Sequence, residues 1–386
     1  MVILEFLGNA VTSILIGYLA FTNTLAEKIE AILPQSPTTE VTVAPTQKPE
    51  IGTKESEGLG MAETTSRGFI PKILLEHAGF QRAAVIASGR EEEISGTTEG
   101  KNLEESIKDA LVNIYCQYKT DKYIRTTTGT GFFINQKGVI LTNAHVAQFL
   151  LLEETNEGTL HDVDCVIRSG DPATPEYKAE LLYISPTWIF ENSKVITEES
   201  PHGTGERDYA LLYISKSINT TPLPARFPSI AFDTTLLSRA NERALVITAG
   251  YPAEALLRNG ADAKLTPIVA STTIGSLYTF GSNYADIFSI GESPVGEQGA
   301  SGGPIVIPSD REVIGLIVTK GDAATEGERS LRAITLSYID RTIIEETGFS
   351  LIQNMQGDVA HRGNIFKSAM VPFLSGILKE ELTEAE

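Results

Sequence analysis

Cysteine is nearly absent from this sequence of 386 residues, with only Cys116 and Cys165 present. Two thiols cannot build a four-ligand zinc site unaided, and no C-x-x-C redox pair exists. That leaves either one disulfide between them or two separate buried thiols. Positive charge is scarce as well: 31 Lys and Arg stand against 50 Asp and Glu, a net charge of -19. No basic stripe runs along the chain, which argues against a nucleic-acid partner. The acidity serves solubility and implies no substrate preference. Histidine is rare enough to consider residue by residue: His77, His145, His161, His202 and His361. No repeat of solenoid period is visible, and no pattern calls for a metal or an organic cofactor.

One absence is local. The stretch FLGNAVTSILIGYLAFTNTLA, residues 6–26, has no charged side chain in 21 positions. As a helix it reaches roughly 30 Å, about one hydrocarbon core. Basic residues do not precede it, and Glu5 stands there instead. A membrane anchor is preferred to a cleaved signal, and either one places the remaining chain outside the cytoplasm. Residues 34–66 are rich in Pro, Thr, Glu and Gly and read as a flexible tether. The expected organisation is therefore an anchor or signal over 1–30, a disordered linker over 31–68, and an extension over 69–111. A globular domain over 112–345 and a C-terminal extension over 346–386 follow.

What is plentiful after residue 112 is short apolar runs separated by turn residues. GTGFFI, NQKG and VILTNA read as a hairpin. DCVIR, AELLYI, YALLYI, ALVITAG, TPIVAST, DIFSI, PIVI and VIGLIVT are further strand candidates. Many short strands with little helix between them indicate antiparallel barrels or sandwiches. Ahead of them Asn102 reads as a helix cap with Glu105 three residues on, and Leu103, Ile107, Leu111 and Ile114 fall near helical spacing. Near the C-terminus AMVPFLSGIL reads as a helix packing back on the body, its start limited by Pro372.

The segment GEQGASGGPIVI, residues 296–307, crowds glycine around Ser301. A tight turn explains this without chemistry, since glycine adopts dihedrals other residues avoid. A nucleophile explains it too, provided a base and an orienting carboxylate exist. His145 has the most informative setting, GVILTNAHVA, a strand running into small residues and a turn. Asp208, in GERDYALLYIS, enters an apolar strand. Alone, each reads more simply as a structural histidine and a solvated strand end.

Together and in this order, TNAHVA, DYALL and GASGGP resemble the three catalytic motifs of the chymotrypsin-like (trypsin-like) serine proteases, closest to the bacterial Deg/HtrA branch. The resemblance covers roughly residues 112–345. It implies two six-stranded antiparallel β-barrels, roughly 112–225 and 226–345, with the site in the cleft between them. A membrane-anchor helix, a flexible linker and peripheral helices are expected in addition to that core. It also implies His145 as general base and acid, Asp208 as orienting carboxylate and Ser301 as nucleophile. Gly299 and Ser301 would supply oxyanion-hole N–H groups. VIGLIVTKG resembles the strand that pairs with substrate backbone, so Val318, Thr319 and Lys320 are the expected substrate-binding residues. Partners are then protein or peptide substrates, with the membrane reached through the N-terminal segment. The expected place of work is a bacterial-type cell envelope, and oligomeric state is left open.

Two departures stand out. Ala300 replaces the aspartate with which the animal digestive enzymes pair a newly cut N-terminus, so activation by that ion pair is not expected. The residues after the second barrel are too few for the PDZ domain usual in Deg/HtrA proteins. Two other functions compete: a protease-shaped peptide-binding module without catalysis, and an esterase, since GASGG satisfies G-x-S-x-G. The esterase fold requires a helix directly after the serine, where PIVI reads as a strand.

Overall fold

Short apolar runs bounded by turn residues form the strands of this chain, and the pairing of those strands closes two rings. The computed structural model describes residues 102–119, 124–153, 162–198, 204–219, 221–253, 264–295, 299–320 and 331–385. The first ring comprises β1 (Leu111–Lys119), β2 (Ile124–Phe133), β3 (Val139–Thr142), β4 (Asp162–Ser169), β5 (Thr174–Ile184) and β6 (Ala210–Ser217). Its order is β1-β2-β3-β6-β5-β4, closed by antiparallel pairing of β4 with β1. On β1, Val112, Ile114, Cys116 and Tyr118 all join the barrel's apolar core, the period of two expected for a strand with one face in a barrel. Register sets Cys116 opposite Cys165 on β4, with Cα atoms 4.1 Å apart, and the two form a disulfide. Of the two readings open for the cysteines, the crosslink is the one realised.

The second ring follows β7 (Ala231–Phe232) and comprises β8 (Leu245–Gly250), β9 (Ile268–Tyr278), β10 (Ile287–Ile290), β11 (Pro304–Ile307), β12 (Glu312–Lys320) and β13 (Leu331–Thr335). The order β11-β8-β9-β10-β13-β12 is closed by pairing of β12 with β11, and β7 adds a short parallel pairing to β12. Its interior holds Val246, Ile274, Phe288, Ile290, Ile305 and Ile314. A third apolar cluster joins the rings, with Phe132, Leu141 and Tyr209 from the first and Tyr251, Val306 and Leu316 from the second side. Two closed six-stranded antiparallel barrels meeting across a shared core is the expected chymotrypsin-like architecture.

Helices surround the barrels. They are α1 (Leu103–Ala110), α2 (Ala144–Glu153), α3 (Pro186–Asn192), α4 (Leu336–Thr347), α5 (Leu351–Asn354), α6 (Val359–Ala369) and α7 (Val371–Ala385). The expected C-terminal helix is α7, whose Val371, Leu374, Leu378 and Leu382 enter the first barrel's core cluster. Pro372 sits in its first turn, where the missing N–H costs nothing. The helical spacing read from Leu103 to Ile114 holds only in its first half. Asn102 Oδ1 accepts from Glu104 N at 3.4 Å to cap α1, but Leu111 is already extended at ψ 144 and begins β1. Val112, Ile114 and Tyr115 are β-branched or aromatic, which lowers the propensity to continue the helix and favours the strand. Strand β11, not a helix, follows Ser301, which removes the esterase reading. The anchor over 6–26 and the linker over 31–68 lie outside the described residues; among those described, no helix is long and apolar enough to cross a membrane.

The crosslink ties strands whose cysteines are 49 residues apart in sequence. A loop of that length confines the unfolded chain by about 4 kcal/mol in the chain-entropy account. Replacing both cysteines with alanine is expected to lower unfolding free energy by about 2–4 kcal/mol in non-reducing urea titrations; an unchanged midpoint would show the crosslink contributes nothing.

Candidate active site

β3 ends at Thr142 and α2 begins at Ala144, so His145 lies in the first turn of a helix and not simply at a strand end. The first N–H groups of a helix lack intrahelical acceptors. Asp208, from the segment entering β6, supplies one: its Oδ1 accepts from His145 N at 2.9 Å. Its Oδ2 accepts from His145 Nδ1 at 2.7 Å. One carboxylate therefore caps α2 and grips the ring at its base. An ionised carboxylate only accepts, so the Nδ1 proton is fixed and Nε2 is left as the basic nitrogen. Asn143 completes the clasp by donating Nδ2–H to Asp208 O at 2.9 Å. The side chains of His145 and Asp208 are 12% and 6% exposed, so their bond is shielded from competing water.

Ser301 comes from the other barrel. Its carbonyl accepts from Thr130 N on β2 at 2.8 Å, and its hydroxyl donates to Val318 O at 3.5 Å. Gly302, at φ +88, passes so close to the first barrel that an added Cβ would lie 2.0 Å from Thr130 O and 2.5 Å from Thr142 Oγ1. Only glycine fits there. The serine thus rests beside β2 and the end of β3, whose last residue, Thr142, stands three positions before His145. The structure joins His145 to Asp208, and among the described residues no hydrogen bond links Ser301 Oγ to the imidazole.

Gly299 has φ +93, and an added Cβ would meet Tyr251 O at 2.6 Å. Its carbonyl accepts from Thr130 Oγ1 at 2.6 Å. Among the described residues, the N–H groups of Gly299 and Ser301 have no acceptor, which leaves two donors available to an incoming oxyanion. Residues 296–298 of the same loop lie outside the described residues.

Val318 falls where the register of β12 with β13 shifts between Ile317 and Thr319. Such a bulge releases main-chain groups from the ladder, and here the Val318 carbonyl faces Ser301. The Val318 side chain is buried, against Gly205, so any substrate contact at this residue is through its backbone. Thr319 and Lys320 end β12. Among the described residues no cluster of His, Cys, Asp or Glu could hold a metal ion.

Thr130 escaped the sequence reading and organises the site. It is fully buried. Its hydroxyl donates to Gly299 O and accepts from Tyr251 N at 2.9 Å. Its N–H holds Ser301 O, and its carbonyl accepts from Thr142 Oγ1 at 2.7 Å. The one hint in sequence is a hydroxyl between glycines in GTG, a pattern of close backbone approach.

Residues 129–316 match the family model described as trypsin-like peptidase domain. A solved structure of the Rv3671c protease from M. tuberculosis, in its active form, is similar at 17% identity over 66% of this chain and 85% of that chain, with a TM-score of 0.38. No curated protein matches the sequence.

Thr130→Val keeps the shape of the side chain and removes its hydroxyl. It leaves the Tyr251 N–H and the Gly299 carbonyl unpaired, at about 1–3 kcal/mol each. Thr130→Ser keeps both bonds and loses one methyl, about 1 kcal/mol. Urea unfolding of both variants is expected to rank serine well above valine; equal stabilities would show that the hydroxyl is not a bridge.

Proposed function

Because residues 129–316 match the trypsin-like peptidase domain model, we propose that this protein is a serine endopeptidase acting through His145, Asp208 and Ser301. The observation that carries the reading is the 2.7 Å bond from His145 Nδ1 to buried Asp208. It fixes the one tautomer in which Nε2 takes a proton from a serine hydroxyl. Ser301 Oγ attacks the peptide carbonyl while Nε2 receives its proton. The tetrahedral oxyanion is held by the Gly299 and Ser301 N–H groups, each worth on the order of 3 kcal/mol. Protonated His145 then gives its proton to the leaving amine, forming an acyl-enzyme, and water reverses the sequence.

Substrate pairs in extended form along the end of β12, Val318 through Lys320. Main-chain pairing gives affinity with little sequence information, which suits hydrolysis of unfolded polypeptides. We place this work outside the cytoplasm, in envelope protein quality control with the N-terminal segment as anchor. The disulfide between Cys116 and Cys165 supports an oxidising compartment, and the uncharged run over 6–26 supports the anchor. The competing reading, a protease-shaped binder, draws on the lack of a Ser301–His145 hydrogen bond. Such bonds are often long without substrate and tighten in the complex, so the enzyme reading prevails.

A phosphonate reagent is expected to label wild-type protein at Ser301. Ser301→Ala is expected to reduce hydrolysis of an unfolded protein by about 10⁶. Asp208→Asn is expected to cost about 10⁴ through the wrong imidazole tautomer. Wild-type turnover in the Ser301→Ala protein would overturn the assignment; peptide binding with no labelling would establish the binder.

A further inference from the structure

The chain entering Asp208 follows a path that its own residues disfavour. Arg207 has φ 54, a left-handed conformation that is unfavourable for a residue with a long side chain. Tyr209 N closes a three-residue turn onto Arg207 O at 2.9 Å, and Asp208 N reaches Gly205 O at 3.3 Å. Asp208 is therefore the middle residue of a tight turn, and the residues on either side of it aim its carboxylate. Neither neighbour is a glycine or an asparagine, so local sequence does not enforce the turn.

Helix α4 does. Tyr338 OH accepts from Arg207 N at 3.1 Å. The Arg207 guanidinium donates to Glu346 Oε1 and to Glu345 Oε2, each at 2.8 Å. On the other flank, Tyr209 OH and Thr342 Oγ1 are 2.9 Å apart and hydrogen-bonded. Tyr338, Thr342, Glu345 and Glu346 follow helical spacing along one face of α4. Both neighbours of Asp208 are thus moored to a single helix.

Glu346 is the deepest mooring. Its side chain is only 4% exposed, and it also accepts from Tyr183 OH and from Ser185 Oγ at 3.0 Å. Burial works against the charge on Arg207, but Glu346 and Glu345 together with Tyr338 and Tyr209 outweigh it, so the guanidinium is held protonated more firmly than usual. A buried ion pair is weak grounds for stability, because desolvation offsets its attraction. Its geometric effect is what is distinctive, since it holds an arginine in a conformation that the backbone resists.

We propose that Glu346 and Tyr338 are positioning residues, holding Arg207 in its left-handed turn and thereby keeping the Asp208 carboxylate aligned with His145. The inference rests on the protease reading for its kinetic consequence, while its geometric content stands independently. Helix α4 lies beyond the second barrel's last strand, so the segment C-terminal to β13 becomes part of the aiming device for a carboxylate held beside the first barrel.

The test uses Glu346→Gln and Tyr338→Phe in the full chain. Each is expected to lower kcat by about tenfold, as loss of a hydrogen bond to a charged or turn-forming group implies, with KM within about twofold. The low-field proton resonance of His145 Nδ1–H is expected to weaken in both, while cooperative unfolding persists. Adding Arg207→Gly to Glu346→Gln is expected to restore that resonance, because glycine adopts left-handed angles without a mooring. Reading the resonance in the Ser301→Ala background as well separates the two claims. Loss of catalysis by wild-type protein would sink the protease reading, yet the resonance would still decide the positioning role. Wild-type kcat and resonance in both variants would overturn the proposal, as would activity that merely follows the folded fraction. If Glu346→Gln does not fold, Tyr338→Phe, which removes one oxygen, decides alone.

Discussion

Thr130 N donates to Ser301 O at 2.8 Å and Thr130 Oγ1 to Gly299 O at 2.6 Å, so one residue of the first barrel holds both ends of the Gly299–Ser301 segment. The third contact, from Tyr251 N to the same hydroxyl, brings in the chain leaving β8. Two segments of the second barrel side thus converge on one buried residue of the first. Without that junction the Gly299–Ser301 segment would have no directional bond, among the described residues, to the barrel that carries the histidine. Apolar contact is non-directional, whereas these bonds specify angle as well as distance. Catalysis by proximity fails over displacements near 1 Å, and directional bonds at the junction keep such slippage small.

The first barrel's contribution follows from a different constraint. Asp208 sits in the middle of a tight turn before β6, and His145 lies in the first turn of α2 directly after β3. These strands pair side by side, with Thr142 opposite Ala210. Adjacent strand ends bring histidine and aspartate within bonding reach before any long-range packing is considered. The helix N-terminus then gives the carboxylate a second acceptor role, at His145 N. A carboxylate that is needed to end a helix correctly is held in place by folding itself, and its grip on the imidazole comes with that placement. The same economy appears at Gly302, where the close approach that seats Ser301 also packs the barrels.

Much of this was readable beforehand, for reasons that differ by element. Strands β2 through β6 and β8 through β12 announce themselves as short apolar runs bounded by turn residues, and some, such as VILT and IFSI, are buried along their whole length. β1 was obscured because Leu103, Ile107, Leu111 and Ile114 also satisfy a helical spacing, and only β-branched and aromatic residues after 111 break the tie. α2 was missed because AHVAQFLLLE is buried on nearly every side, so it shows no amphipathic period at all. β7, with two residues, is too short to carry a pattern, and Arg332 interrupts the apolar run of β13 in LRAIT. The pairing of His145 with Asp208 was foreshadowed because each sits in a distinctive setting, and Ser301 joined them as a candidate by its place in the order. Thr130, Asn143 and Arg207 were not, since their roles exist only once strands from distant stretches are adjacent. The disulfide was undecidable for the same reason: it depends on register between β1 and β4, which no local pattern encodes.

The polar groups that align the site lie in or beside the apolar cluster joining the barrels, among Phe132, Leu141, Tyr209, Tyr251, Leu316 and Tyr338. That location has a physical consequence. In such surroundings a satisfied hydrogen bond is strong, and an unsatisfied group is costly. Sliding the barrels by one residue would preserve much of the greasy contact, because one Leu or Ile substitutes well enough for another. The same slide would strand the Thr130 hydroxyl, the Tyr251 N–H and the Glu346 carboxylate without partners. The observed docking of the two rings therefore pairs the Thr130 hydroxyl, the Tyr251 N–H and the Glu346 carboxylate together. That docking also sets the serine beside the strand end that carries the histidine. The interface selects its own geometry through the penalty on alternatives, more than through the strength of any bond it makes.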